Sequence, residues 1–291
     1  MFFRQADLRF LSGGLSTTNV NKARILPGAR AVSLLAFMVG VSATRTAESA
    51  EPPDARDAAR PCRPTVSCTA ELTAPGTLEV ETGAQASRLG DGSRALTVPF
   101  LLKQTVARFL QLQLGSNGYT TTTASPRGRY LDNLFVGPKF HVVDQTKWVP
   151  ALAFSAQWSF PTFEGVGYSR HHDAFFVGYA SKDLGPIHLD LNVGANAYRL
   201  EAPLGQVFAA LAVSASLPGT PFGAALEGYA FSDASPLATP DAGVRFFIAA
   251  SPRPWLVFDF GGDVGLIAST RAYSAFVGMT IVPVLFFRRH T

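Results

Sequence analysis

Histidines are the residues of this chain best suited to acid–base chemistry. A Ser–His pair needs the imidazole beside a nucleophile and a third group to orient it. Strand periodicity predicts that His141 and His188 are polar residues inside a barrel. Adjacent strand residues point to opposite faces, so His171 and His172 would chelate one ion only in a loop, and we interpret them as an exposed polar loop. The sequence therefore predicts no catalytic residue, no metal site and no cofactor.

Two cysteines, Cys62 and Cys68, form the other chemically active pair. They lie in a segment without hydrophobic periodicity, behind a predicted secretory leader. In a secreted chain this spacing favours a small disulfide loop. A metal site is disfavoured because no histidine lies nearby. A lipoprotein anchor is also disfavoured, because no Leu-rich box precedes Cys62. Two free thiols in a disordered segment are the alternative.

A larger polar set alternates with apolar residues. In 186–199, for example, Leu189 and Leu191 fall on one face, and Asp190 and Asn192 on the other. A period of two places each set on one side of a sheet. The residues predicted by this phase to line a lumen are Glu79, Glu81, Gln111, Gln113, Lys139, His141, Gln157, Asp190, Asn192, Glu227, Arg245, Asp259 and Asp263. Their mixed signs predict weak ion selectivity or internal salt bridges.

Aromatic residues share that inward phase at several positions. They are Phe135, Phe208, Tyr229, Phe247 and Phe276. They would form either an apolar lining or a plug of the bore.

The elements that must position these side chains are long strands. Twelve segments have strand character: 76–87, 94–103, 106–117, 130–144, 148–161, 172–182, 186–199, 203–217, 220–232, 239–251, 254–267 and 272–287. Most are longer than the five or six residues typical of globular strands and reach the roughly 9–11 that a tilted membrane strand needs. Short connections, such as Lys103–Ala107 and Asp183–Pro186, alternate with longer ones, as in outer-membrane barrels.

This rhythm predicts an all-β fold: a closed antiparallel transmembrane β-barrel of about 12 strands, with both termini on one side. The chain has no apolar run of about 18 residues, which excludes transmembrane helices. A secreted β-sandwich is the alternative, but it would have shorter strands and more Lys and Glu on its polar faces.

The chain divides into three parts. Residues 1–43 have the basic, apolar and small-residue order of a secretory signal peptide. Residues 44–75, rich in Ala, Pro, Arg and Asp, are predicted to be a flexible periplasmic tether carrying Cys62 and Cys68. Residues 76–291 form the predicted barrel. Residues 1–43 hold five basic and one acidic side chain and the remainder holds 20 of each, so nucleic-acid binding has no support.

Several stretches resemble the outer-membrane protein family labelled as the MetA-pathway of phenol degradation. Leu72–Gly83 resembles the first strand of that family, and Arg94–Gly115 resembles two strands joined by a tight turn. Tyr130–Val143, with Asp132, Gly137 and Lys139 at the family's spacing, resembles the fourth strand, and Leu152–Thr162 resembles the next. The family usually has Gly before that Asp, where this chain has Leu131. The resemblance implies a transporter of small, often aromatic or apolar, compounds.

Three functions are compatible with the sequence. The first is a narrow passive channel in the bacterial outer membrane for small, apolar or aromatic solutes, with membrane lipid as its surroundings. Twelve strands enclose more room than eight and less than porins of 16–18. The second is a closed structural barrel without transport. The third is a barrel enzyme acting on lipid through His141 or His188.

Overall fold

A computed structural model describes residues 58–63, 65–124, 128–161, 172–199, 203–232, 240–267 and 271–285. These residues form β1 (Thr77–Leu89), β2 (Arg94–Ala107), β3 (Leu110–Thr122), β4 (Gly128–Leu131), β5 (Leu134–Val143), β6 (Ala151–Phe160), β7 (Ala174–Leu184), β8 (Ile187–Arg199), β9 (Pro203–Ser216), β10 (Phe222–Phe231), β11 (Asp241–Arg253), β12 (Leu256–Gly265) and β13 (Arg271–Leu285). Within these ranges no helix is long and apolar enough to span a membrane. The predicted signal peptide, residues 1–43, lies outside the described residues.

The strands close into a single antiparallel barrel. β1 pairs with β2 on one side and with β13 on the other, so the sheet has no free edge there. β3 pairs with β4 near one end and with β5 along the rest of its length. β4 and β5 are therefore two parts of one barrel strand. The barrel has twelve strands, and the predicted closed antiparallel all-β fold is confirmed.

The break between β4 and β5 has a local cause in β3. The register of β3 against β2 shifts between Val98 and Phe100. At this bulge Gly118 adopts a φ of 72°, and a Cβ there would lie 1.8 Å from the Val98 carbonyl oxygen. The backbone N–H of Asp132 donates to Gly118 O (2.9 Å), and Asn117 Nδ2 donates to Asp132 Oδ2 (2.6 Å). The bulge thus interrupts the strand that was predicted to run unbroken over 130–144.

Inner and outer faces differ sharply in side-chain chemistry. Along β6, buried and exposed residues alternate. Ser155 is 1% exposed on the inner face, whereas Phe154 is 48% exposed on the outer face. The same alternation places exposed Leu, Val and Phe around the barrel, on strands that put polar side chains inside.

The two ends of the barrel differ in their connections. The end where β1 starts and β13 finishes has the turns 108–109, 144–150, 185–186, 217–221 and 254–255, and we call it the short-turn end. The other, the long-loop end, includes the connections 161–173 and 232–240. β2 continues to Ala107, so Lys103, which the sequence placed at a turn, is a strand residue.

The predicted flexible tether is the main departure from expectation. Residues 44–57 and Pro64 lie outside the described residues. From Cys62 to Ala70 the described residues are all buried, with Cys62 5% and Ala70 0% exposed. Their partners are inward-facing side chains of the barrel, so this part of the segment lies in the barrel interior. Its composition suggested disorder, but the barrel wall supplies hydrogen bonds to its backbone.

Candidate functional site

The barrel interior is the candidate site, and it holds the predicted lumen residues. The structure places all thirteen on the inward phase of their strands. Eleven are buried: Glu79, Glu81, Gln111, Gln113, Lys139, Gln157, Asn192, Glu227, Arg245, Asp259 and Asp263. The other two, His141 and Asp190, are half-buried.

Residues 58–63 and 65–75, here called the bore segment, form a loop inserted from the short-turn end. Near its start, Ala59 N donates to Pro254 O in a short turn (2.8 Å). Near its exit, the hydroxyls of Thr73 and Thr105 are 2.7 Å apart. The segment therefore enters and leaves at the same end.

A charged cluster on β1 and β2 holds the first part of the bore segment. Lys103 Nζ lies 2.8 Å from Glu79 Oε2 and 2.5 Å from Glu81 Oε1, and all three side chains are at most 2% exposed. Arg60 N donates to Glu79 Oε1 (2.7 Å), and Cys62 N donates to Glu81 Oε1 (3.0 Å). Lys103 Nζ also donates to Arg60 O (2.5 Å). We call this the Lys103 cluster.

A second cluster, on β10, β11 and β12, holds the tip of the segment. Arg245 lies between Glu227 (Nη1–Oε2, 3.4 Å) and Asp263 (Nη2–Oδ2, 2.9 Å). Glu227 accepts from Ser67 N (2.6 Å), Ser67 Oγ (2.8 Å) and Val66 N (3.0 Å). This Arg245 cluster thus binds the backbone of the loop tip through one carboxylate.

The returning part of the loop contacts a third part of the wall, formed by β5, β7 and β8. Lys139 Nζ donates to Thr69 O, and Ala70 N donates to Ser181 Oγ (2.6 Å). The Asn192 amide lies 2.7 and 2.9 Å from Cys68 N and O. His141 Nδ1 lies 3.1 Å from Ala70 O. Backbone groups of the buried segment thus find hydrogen-bond partners on the barrel wall.

Cys62 and Cys68 are joined by a disulfide in the structure, which closes the tip of the loop. The pair packs in an apolar cluster with Val66 and with the rings of Tyr179 and Phe208. The disulfide loop predicted for an external tether therefore lies inside the barrel.

Aromatic side chains lie beside the tip of the loop. Phe208 and Phe231 stack with their ring centroids 5.2 Å apart, and Tyr229 meets Phe231 edge-on at 6.2 Å. Arg245 Cζ lies 5.5 Å from the Tyr229 ring and 5.6 Å from the Phe276 ring. The interior thus combines charges with flat apolar surfaces.

Comparisons with known proteins place this geometry in a known fold. No protein-family model and no curated protein sequence matches the chain. Among solved structures, it is similar to an outer-membrane channel from Pseudomonas putida F1, with 13% identity, a TM-score of 0.55, and coverage of 72% of this chain and 97% of that one. It is also similar to the NanC porin, with 9% identity, a TM-score of 0.51, and coverage of 70% and 98%.

The chain has the fold of an outer-membrane channel. The bore segment lies inside this barrel, against inward-facing residues of β1, β7 and β10. The label of the MetA-pathway family rests on the sequence resemblance alone.

The histidines considered for catalysis are engaged in other ways. His188 Nδ1 lies 2.6 Å from Asp183 Oδ1, and its Nε2 lies 3.1 Å from Asp190 Oδ1. Both ring nitrogens face carboxylates, so neither is placed to take a proton from the nearby Ser181. His141 is on β5 and His188 on β8, with two strands between them.

The loop of His171 and His172, predicted to be an exposed polar loop, is described only in part. His171 lies outside the described residues. His172 packs its ring against Trp158 and Phe160, with centroid distances of 5.8 and 5.7 Å. In the described part of the chain, no group of three His, Cys, Asp or Glu side chains could hold a metal ion.

The sequence analysis missed two inward-facing residues, Lys103 and Ser181, that bind the bore segment. Lys103 bridges two glutamates but was placed in a turn, and Ser181 binds Ala70 N but has no charge to mark it. Extending the alternation of Leu101 and Thr105 through Lys103 would have found the first. Ser181 shares the phase of Val177 and Tyr179 on β7.

Proposed function

We propose that this protein is a β-barrel of the bacterial outer membrane that acts as a narrow passive channel for small solutes. One observation carries the proposal: charges are buried on the inner face while the outer face exposes Leu, Val and Phe. An outward Arg or Lys at the membrane midplane would cost about 2–4 kcal/mol. A closed barrel also leaves no unpaired strand edge in lipid.

Small apolar or aromatic compounds are the proposed solutes. The rings of Phe208, Tyr229 and Phe231 form an apolar part of the interior beside the loop tip. The sequence resemblance to the MetA-pathway family points to the same class of compound. The buried charges nearby favour solutes that also carry a hydroxyl or another small polar group.

The bore segment sets the width of the proposed path. Its hydrogen bonds reach Glu79 and Glu81 on β1, Ser181 on β7 and Glu227 on β10, so it contacts opposite parts of the wall. Flux through the native protein should therefore be small, and it should rise when the segment is removed.

A closed structural barrel is the second candidate function. It is favoured by the burial of Cys62, Val66, Cys68 and Ala70 inside the barrel. In this case the segment would block the barrel permanently, and no solute would pass.

Flux measurements separate the two candidates. The native chain and a variant lacking residues 58–75 are reconstituted into liposomes loaded with a small phenolic solute, and efflux is followed with empty liposomes as control. We expect slow efflux from the native protein and faster efflux from the variant. A heat-modifiable gel shift checks that each barrel is folded.

If the folded native protein and the folded variant both give the efflux of empty liposomes, the channel proposal is wrong and the closed barrel is supported. If the deletion variant does not fold, C62S/C68S, which keeps the whole segment, takes its place in the same assay. If the native protein and C62S/C68S both gave only the efflux of empty liposomes, the channel proposal would again be wrong.

A further inference from the structure

The outer face of the barrel carries a groove at the long-loop end with three arginines. Its volume is about 810 Å³, and its lining includes Arg88, Arg94, Arg129, Leu96 and Tyr273. We call it the arginine groove. All three arginines are exposed, and each lies within two residues of a strand end.

Strand register places these side chains on the outer face. Arg88 of β1 stands directly opposite Arg94 of β2, and opposite Tyr273 of β13 on its other side. The neighbouring positions Gln85 and Thr97, three residues away on each strand, form an inward pair. Because side chains alternate, Arg88 and Arg94 share the face of the exposed Tyr273.

The next rung of the same face supplies the third arginine and the apolar floor. Ala86 is opposite Leu96, Leu96 is opposite Thr121, and Thr121 is opposite Arg129. Ala275 pairs with Ala86 on β13. The small alanine side chains leave a hollow between Tyr273 and Leu96, which are 55% and 45% exposed.

The charge arrangement of the arginine groove is unbalanced. Like charges directly opposite on neighbouring strands destabilise a sheet, and Arg88 and Arg94 are such a pair. The structure records no salt bridge from Arg88, Arg94 or Arg129 to any residue in its described part. The acidic residue of the adjoining turn, Asp91, accepts a hydrogen bond from Ser93 N (2.8 Å). An anion between the guanidinium groups would remove the repulsion.

We propose that the arginine groove binds a phosphorylated lipid of the leaflet at the long-loop end. This inference rests on the proposed membrane location. Guanidinium groups bind phosphate through paired, charge-assisted hydrogen bonds. Leu96, Ala86 and Ala275 lie farther from the strand ends than Arg88 and Arg94, on the membrane side of those two groups, and would contact an acyl chain. The combination of anionic head and apolar tail is what separates a lipid from a free anion.

Lipid binding to the full chain tests the proposal. The protein is held in neutral detergent, and lipid A, a phosphorylated glycolipid, is titrated and followed by native mass spectrometry. We expect R88Q/R94Q to bind lipid A at least about tenfold more weakly than the native protein, since it loses charge-assisted hydrogen bonds. R108Q, which removes an exposed arginine at the short-turn end, is the matched control and should bind like the native protein.

Two further arms identify the ligand chemistry. Lipid A stripped of its phosphates should bind as weakly to the native protein as lipid A does to R88Q/R94Q. Inorganic phosphate at millimolar concentration should not displace lipid A, because it lacks the acyl chains.

The proposal is overturned if R88Q/R94Q binds lipid A like the native protein, or if phosphate removal makes no difference. Complete displacement by inorganic phosphate also overturns it, in favour of a free-anion site. These failures leave the channel proposal intact, because that is judged by solute efflux. Failure of the native protein to insert into liposomes would instead remove the channel proposal, whatever lipid A does in detergent.

Discussion

The Lys103 cluster and the Arg245 cluster each pair one cation with two carboxylates, but they hold the bore segment differently. In the first, Glu79 and Glu81 lie on β1 beside Lys103 of β2; in the second, Glu227 of β10 and Asp263 of β12 lie on either side of Arg245 of β11. In the first, both carboxylates and the lysine bind segment backbone at Arg60 and Cys62. In the second, Glu227 binds the segment while Arg245 spans Glu227 and Asp263.

This difference shows two uses of one motif. The Lys103 cluster joins the segment to the wall, whereas the Arg245 cluster joins three strands of the wall to each other and touches the segment at one end. Buried ion pairs add little net stability on their own, but removing one member leaves a buried charge without compensation. Loss of either cation should therefore be costly, while only loss of Lys103 should free the start of the segment.

The largest effect is expected from removing a cation. R245M should lose about 3–5 kcal/mol of unfolding free energy, because Glu227 and Asp263 stay buried without it. K103M should lose a similar amount and should also raise hydrogen exchange at the amides of Arg60 and Cys62. Urea unfolding followed by gel shift, with exchange measured by mass spectrometry, gives both quantities.

R253M is the matched control, because Arg253 lies exposed on the same strand as Arg245. It should change stability by less than about 0.5 kcal/mol. The proposed difference between the clusters is wrong if R245M is as stable as R253M, or if K103M leaves hydrogen exchange at the amides of Arg60 and Cys62 unchanged.

The disulfide is expected to give the next largest effect. Closing so short a loop should contribute about 2 kcal/mol by restricting the unfolded chain. C62S/C68S should lose that amount and show faster exchange across the segment tip. Treatment of the native protein with a reductant that reaches the bore should reproduce the result, and a stability unchanged in C62S/C68S would contradict a constrained loop.

The smallest effect is expected at the tip. S67A removes the hydroxyl that donates to Glu227 and keeps the backbone donors of Ser67 and Val66. S67A should lower the unfolding free energy by about 1 kcal/mol in the same urea assay. S251A, at an exposed position, should be neutral. If S67A lost more unfolding free energy than C62S/C68S, the hydroxyl of Ser67 would contribute more to binding Glu227 than the backbone N–H groups do.

Much of the barrel could be predicted from sequence because its pattern is local. Alternation along each strand identified the inward phase of residues such as Glu227 and Arg245, since side-chain direction has a period of two. The strand ends were harder: the Lys-Gln-Thr sequence at Lys103 is compatible with a turn, and only the register with Glu79 and Gln113 shows it to be a strand.

The bore segment could not be predicted in the same way. It has no periodicity, and its partners are remote: Ser67 and Glu227 are 160 positions apart. Composition alone favoured a flexible tether, because it says nothing of carboxylates that accept from backbone N–H groups. The arginine groove was missed for a related reason, since the sequence assigned its first arginine, Arg88, to a loop and gave no register between β1 and β2.

Cross-linking tests most directly whether the bore segment lies inside the barrel. Thr69 Oγ1 and Ser181 Oγ are 3.3 Å apart in the structure. In a C62S/C68S background, T69C/S181C should form a disulfide under mild oxidation in membranes, detected by mass spectrometry after proteolysis, whereas T69C/S251C should not. Failure of T69C/S181C to cross-link in folded protein, or equal cross-linking of both pairs, would place the segment outside the bore and contradict the account.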